Sequence, residues 1–199
     1  MFILNCKKYA RKRLVQTKRW LESFPIQWFH VIGDETIDSD YMYKPDEHLL
    51  IVKCPDTYDA LPMKTYSAVS AILELFPECK TLLKTDDDMT CKVESFLGIL
   101  DVLKRTDYAG EFISAKPEFS TYHYPNVEES NRKPFWIEKT EYCPGRFYSL
   151  SRKAAEYIQS HKDYFSKQVF EDYAVGYLVT RMPGATFANI PAPSFFSDV

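Results

Sequence analysis

Apolar positions along the chain fall into two alternating rhythms. FILN (2–5), IQWFHVI (26–32), HLLIVKC (48–54) and KTLLKT (80–85) are short apolar runs, and each reads as a buried strand. Between them lie segments of helical period. Lys7 to Leu21 is one, with Leu14 and Leu21 a heptad apart and a strongly basic outer face. Leu61 to Phe76 is a second, with Met63, Val69, Ile72, Leu73 and Phe76 on one stripe and Pro77 as its stop. Val93 to Leu103 is a third. Residues 34–47 are acidic and turn-rich, and read as a loop. Strand and helix in alternation predict an α/β fold, its mainly parallel sheet covered by helices on both faces.

The second half is less regular. Tyr108 to Ala115 reads as a strand, and Trp136–Glu141 with Arg146–Leu150 as an antiparallel pair. Ser151 to His161 and Glu171 to Thr180 read as helices. Residues 116–134 are polar, rich in Tyr and Pro, and without a period. They read as a long loop, and loops of that length in a compact domain are commonly functional. With no repeat and no linker, all of 1–199 reads as one domain with two halves, about 1–105 and 106–199.

Composition narrows the function classes. A chain of 199 residues, 45% hydrophobic, can bury a full core. A net charge of −3 argues against a general nucleic-acid binder. No apolar run approaches the ~20 residues of a membrane helix. The opening MFILNCKKYARKR places its charges after the apolar residues, the reverse of a signal peptide. Five widely spaced cysteines form no CxxC, so neither a zinc knuckle nor a disulfide framework is expected. A cytoplasmic location follows from this pattern, with a Golgi lumen the alternative for a domain cut from its anchor. His30, His48, His123 and His161 share no ligand spacing with one another or with the acidic residues, and Cys143 has no obvious His partner.

The sharpest chemical signal is Asp86-Asp87-Asp88, directly after an apolar strand. Side chains alternate along extended chain, so Asp86 and Asp88 point one way and Asp87 the other. The carboxyl end of a strand is where α/β sheets bind ligands. Adjacent carboxylates repel, and a hard cation such as Mn²⁺ or Mg²⁺ relieves that repulsion while taking substrate phosphates as further ligands. A solvated acidic turn is the competing reading. Glu171-Asp172 at a predicted helix start is a second carboxylate pair, and local sequence alone reads it as a helix-stabilising N-terminal acid.

LLKTDDDM (82–89) resembles the DxD segment of the β-1,3-galactosyltransferase and fringe-like glycosyltransferases. Asp56-Thr57-Tyr58 followed by Leu61-Pro62-Met63-Lys64-Thr65 resembles that family's Asp-x-Tyr-x-x-Leu-x-x-Lys-Thr segment. Tyr142-Cys143-Pro144-Gly145-Arg146-Phe147-Tyr148-Ser149-Leu150-Ser151 is similar to its Tyr-Cys-Ser-Gly-Gly-Gly-Tyr-Val-Leu-Ser segment. Glu171-Asp172-Tyr173-Ala174-Val175-Gly176 is similar to its Glu-Asp-Val-x-x-Gly segment. Four segments in the family's order are far more specific than a lone DxD.

The resemblance implies a single GT-A-like, Rossmann-like glycosyltransferase domain, its nucleotide-binding half first and its acceptor half second. It implies transfer of a hexose, glucose, galactose or a relative, from a UDP-sugar to a hydroxyl of a glycan or glycoprotein acceptor, with inversion. Asp88 and Asp86 are then the metal residues, with Mn²⁺ or Mg²⁺ as cofactor. Asp86, Asp87, Lys64, Arg13 and Asn5 are the nucleotide-facing set. Asp172 is the general base, with Glu171 as its rival. Trp136, Gly145 and Tyr148 shape the sugar or acceptor site. Two departures stand out. Arg146 and Phe147 replace two family glycines, and the last 38 residues hold no histidine to serve as a further metal ligand. The family's usual anchor is also missing, which points to a viral or bacterial member or to one domain of a longer protein. Rival readings are a carbohydrate- or nucleotide-binding domain without transfer, and a metal-dependent nucleotidyltransferase, although no GxxxxGK[ST] loop is present.

Overall fold

A computed structural model describes residues 1–198, with Asn131 described by its backbone. The strands are β1 (Phe2–Leu4), β2 (Phe29–Gly33), β3 (Tyr41–Lys44), β4 (Leu49–Val52), β5 (Thr81–Asp86), β6 (Met89–Cys91), β7 (Tyr108–Gly110), β8 (Ile113–Ala115), β9 (Glu118–Ser120), β10 (Phe135–Ile137), β11 (Thr140–Tyr142), β12 (Phe147–Ser151), β13 (Phe187–Asn189) and β14 (Phe196–Asp198). The helices are α1 (Ala10–Arg19), α2 (Leu61–Leu75), α3 (Val93–Leu97), α4 (Leu100–Leu103), α5 (Arg152–Gln159), α6 (Lys162–Phe165) and α7 (Glu171–Val179).

Eight strands form one sheet in the order β13-β7-β12-β5-β1-β2-β4-β3. The four apolar runs of the first half become its parallel centre, β5-β1-β2-β4. Their residues are buried almost without a break, as strands covered on both faces must be. Alternation sorts their side chains between two cores. Phe2, Leu4 and Leu82 face one that includes Val69 and Ile72 of α2, Ala154 and Ile158 of α5, and Val175 of α7. Ile3 and Leu83 face the other, with Trp20, Phe96, Phe147 and Phe196.

The structure corrects four expectations from the sequence. Residues 34–47 contain β3, an edge strand antiparallel to β4. The helix expected over 93–103 is two short ones, divided at Gly98 and Ile99. The strand expected over 108–115 splits: β7 joins the main sheet, whereas β8 pairs with β11. Trp136–Glu141 and Arg146–Leu150 are not partners. The buried strand β12 lies between β5 and β7, antiparallel to both. The more exposed β10 pairs with β9, inside the segment read as a loop. A strand as apolar as Phe147–Leu150 needs neighbours on both edges and cover on both faces, and only the sheet interior supplies them.

Helix α1 departs from its expected stripe. Leu14 is 55% exposed, and the residue α1 buries is Gln16. Gln16 Nε2 donates to the carbonyls of Asp86 (2.8 Å) and Met89 (3.0 Å), and Trp20 Nε1 donates to Met89 O (3.0 Å). The helix thus satisfies the backbone of the aspartate turn instead of covering an apolar face.

Candidate active site

Strand β5 delivers Asp86 to the carboxyl end of the parallel sheet, where it forms the floor of a cleft of about 570 Å³. The cleft is also lined by Tyr58, Tyr142, Gly145, Glu171 and Asp172, and by Glu118, Ser120 and Tyr122. This volume lies in the range of small-molecule sites. Helix α7 points its first turn at the cleft because its middle packs closely on β11. A Cβ on Gly176 would overlap Tyr142. Carboxylates in a first helical turn meet unsatisfied N–H groups and the positive end of the helix dipole.

Lys84, two residues before Asp86 on the same strand face, is a central residue that sequence reasoning missed. It is 1% exposed. Its Nζ lies 2.7 Å from Asp86 Oδ1 and 3.2 Å from Glu171 Oε2, and donates to Gly145 O at 2.9 Å. Burial favours its neutral form, but Asp86 and Glu171 outweigh burial and hold it cationic. The signal available in the sequence was the i, i+2 spacing of a lysine and an aspartate on one strand.

Each candidate residue now has a place. Asp172 accepts from the backbone N–H groups of Tyr173 (2.8 Å) and Gly145 (3.2 Å). Desolvation, then the charge of Glu171, raises its pKa to about 6 against the opposing pull of Lys84 and these two N–H donors. Glu171 is buried and accepts on Oε1 from Tyr148 Oη and from Thr65 Oγ1 (3.2 Å), so with Lys84 on Oε2 both of its oxygens are engaged. Asp86 keeps 38% of its side chain open to the cleft. Desolvation and Glu171 push its pKa up to about 7, against the attraction of Lys84. Glycine at 145 lets the backbone lie against the ion pair: a Cβ there would displace the Asp86 carboxylate and come within 3.1 Å of Lys84 Nζ.

Asn5 gathers most of the nucleotide-facing set on the other side of β5. Arg13 Nη1 donates to Asn5 Oδ1 (2.6 Å), Asn5 Nδ2 donates to Asp87, and Lys12 Nζ lies 3.1 Å from Asp87 Oδ1. Alternation along the chain turns Asp87 away from Asp86, as expected. Lys64 does not face open solvent. It is enclosed, with Nζ 2.6 Å from Asp56 Oδ1 and 2.9 Å from Asn5 O, because its helix α2 lies under the sheet's carboxyl end. Asp88 is exposed on the turn after β5.

In the sugar or acceptor set, only Gly145 lines the cleft. Tyr148 is fully buried and reaches the cleft through Glu171. Trp136 pairs in register with Phe119, and the two rings meet 4.9 Å apart. Glu118, Ser120 and Ile137, their sequence neighbours, line the cleft, so strand alternation turns Trp136 and Phe119 to the outer face. Of the two departures from the glycine-rich segment, Phe147 stacks on Phe196 in the core, 4.9 Å away, and Arg146 lies 3.7 Å from Asp198. The four histidines serve the fold or its surface: His30 is buried against Gln16 Oε1 (3.0 Å), and His48 stacks on Trp28.

Among the described residues, no three His, Cys, Asp or Glu side chains converge into a protein cage for a metal. Asp88 lies on the exposed turn two residues after Asp86, outside the cleft lining, and the charges of the two carboxylates oppose each other.

Residues 11–185 match the family described as Galactosyltransferase. The UDP-GalNAc:beta-1,3-N-acetylgalactosaminyltransferase 1 of Homo sapiens is 26% identical over 174 residues, covering 81% of this chain and 51% of that protein. Its Sus scrofa and Mus musculus counterparts are 25% and 24% identical over the same lengths. The chain spans about half the length of the curated relatives it matches. A solved structure, the 4-diphosphocytidyl-2C-methyl-D-erythritolsynthase of Anaerococcus prevotii DSM 20548, aligns with a TM-score of 0.48 at 13% identity over 95% of this chain and 87% of that one. The family match runs from the helix that braces the aspartate turn to beyond the helix that carries Glu171 and Asp172, and the chain belongs to the galactosyltransferase family.

Proposed function

We propose that this chain carries the catalytic site of an inverting glycosyltransferase that moves a hexose or N-acetylhexosamine from a UDP-sugar to a glycan hydroxyl. The observation that supports the reading is the meeting of Asp86, Gly145 and Asp172 in one cleft at the carboxyl end of β5. The relatives' names make UDP-GalNAc the first donor to test.

In the reaction, the acceptor oxygen attacks the anomeric carbon as the bond from that carbon to the diphosphate breaks. Asp172 takes the hydroxyl proton, and its pKa of about 6 leaves it mostly ionised at neutral pH yet basic enough to accept. Its hydrogen bond from the Gly145 N–H orients the carboxylate toward the cleft. Asp86 faces the donor's ribose or the ion's water shell. Asp88 would hold Mn²⁺ or Mg²⁺ together with the donor phosphates, and the ion would supply charge to offset that on the leaving diphosphate. Tyr122, Glu118 and Ser120, which also line the cleft, would contact the acceptor.

The test is release of UDP from UDP-GalNAc, UDP-galactose, UDP-GlcNAc and UDP-glucose with a glycan acceptor, with and without Mn²⁺. UDP release that needs both acceptor and chain supports transfer. No release from any of these donors overturns it. In thermal shift, UDP is expected to stabilise the protein only with Mn²⁺ present, by about 2.7 kcal/mol at a hundredfold excess over Kd. Asp88→Ala is expected to remove that shift and keep the melting temperature of the free protein. A retained Mn²⁺-dependent shift in Asp88→Ala would place the ion elsewhere.

A further inference from the structure

We infer that Lys84 is a positioning residue for transfer: its buried ammonium ties β5 to the first turn of α7 and binds the carbonyl of Gly145, the residue whose N–H holds Asp172. The inference rests on the transferase reading above and assigns a role to a residue outside the expected site.

The geometry carries the argument. An ammonium has three donors, and Lys84 directs them at three acceptors from three separate elements: Asp86 Oδ1 on β5, Glu171 Oε2 on α7, and the Gly145 carbonyl in the loop before β12. The same Gly145 donates its N–H to Asp172 Oδ2. Lys84 therefore reaches Asp172 by two routes, through one glycine residue and through Asp172's helix neighbour Glu171. The Tyr148 ring backs the ammonium, 5.4 Å from Nζ, and its hydroxyl donates to the same Glu171.

Stability alone is a weak reason to keep such a hub. Buried ion pairs often match or fall below well-packed apolar side chains of similar volume in stability. Here the strand already places Leu82 and Leu83 in the core, so apolar anchorage does not depend on residue 84. A cation at 84 instead balances carboxylates crowded at one cleft. The groups around Asp172 are Glu171 and Tyr173 on α7, Lys84 and Asp86 on β5, Tyr58 before α2, Tyr108 on β7, Tyr142 on β11, Cys143 just after it, and Glu118 and Tyr122 on the cleft wall. Of these, Lys84 alone is cationic. It favours the ionised base, whereas Glu171 opposes it.

Two variants with opposite expected signs test the hub, each read by transfer pH profile and by ¹³C NMR titration of the side-chain carboxyls, with Asp172→Asn assigning the resonance. Lys84→Met is expected to raise the Asp172 midpoint and the acid limb of transfer by about one pH unit. It should also lower kcat by about tenfold or more through the loosened hold on Gly145. Glu171→Gln, nearly isosteric, is expected to lower the midpoint. An unmoved midpoint in folded Lys84→Met overturns the inference. If Lys84→Met does not fold, an unmoved midpoint in Glu171→Gln does so. Original protein that transfers no sugar refutes the transferase reading, while its NMR titrations still decide whether Lys84 and Glu171 set the charge of Asp172.

Discussion

Asp172→Asn is expected to lower sugar transfer by about 10²–10⁴-fold, the usual contribution of a general base, while UDP and Mn²⁺ still bind. The amide keeps the side chain's shape, and its single oxygen can still accept from one of the two N–H groups that hold it, Gly145 on Oδ2 or Tyr173 on Oδ1, while the other loses its acceptor. What it loses is the ability to take a proton. The pH profile provides a second readout. Burial first, and then Glu171, raises the Asp172 pKa to about 6. The base form is therefore lost as pH falls through about 6, and transfer should fall with it. An Asn variant with residual rate should lack that limb. Near-normal transfer in Asp172→Asn would move the role to Glu171. That carboxylate is buried and already engaged by Lys84, Tyr148 and Thr65, so its own isosteric variant would then have to show the loss.

The parts of this site that were legible in the sequence are those fixed by local periodicity. Asp86 and Asp87 diverge because strands alternate, and Glu171-Asp172 open a helix because apolar positions of helical period follow them. What stayed hidden depends on which strands become neighbours. Strand β12 looks like one arm of a hairpin, yet it crosses to the centre of the sheet and brings Gly145 against Asp86 and Lys84. Trp136 reads as a sugar-stacking aromatic, but the β9–β10 register turns it outward and gives the cleft Ile137. Gln16 is the plainest case. A helix stripe counted by apolar residues misses a buried amide whose partners, the carbonyls of Asp86 and Met89, lie 70 or more residues away. Hydrogen bonds at such separation leave no period in the chain.

Lys64→Met is expected to lower the stability of the fold by about 3 kcal/mol, within the range for removing one partner of a buried ion pair. For a chain of this length that corresponds to a melting point lower by roughly 6–12 °C. Lys64 is 1% exposed, and its Nζ joins the carbonyl that follows β1 to Asp56 in the loop after β4. Methionine fills the volume but leaves Asn5 O without its donor and Asp56 without its cation. The cost falls at the low end of the range because Asp56 is partly exposed and keeps the backbone N–H groups of Lys7 (2.6 Å) and Gly33 (2.8 Å). The pH dependence has a definite sign. Desolvation works to raise the Asp56 pKa, but the Lys64 contact and the two N–H donors outweigh it and leave the pKa lowered in the folded state. A depressed carboxylate stabilises the fold fully above its unfolded value near 3.9, and that contribution is lost as pH falls through the folded value. The gap between original and variant should therefore be widest at neutral pH and narrow below about pH 4, measured as urea midpoints at pH 7 and pH 3. Because Asn5 also anchors Arg13 and Asp87, the loss should spread to nucleotide binding. Equal urea midpoints at pH 7 would show that the Lys64–Asp56 pair does not hold this end of the sheet together.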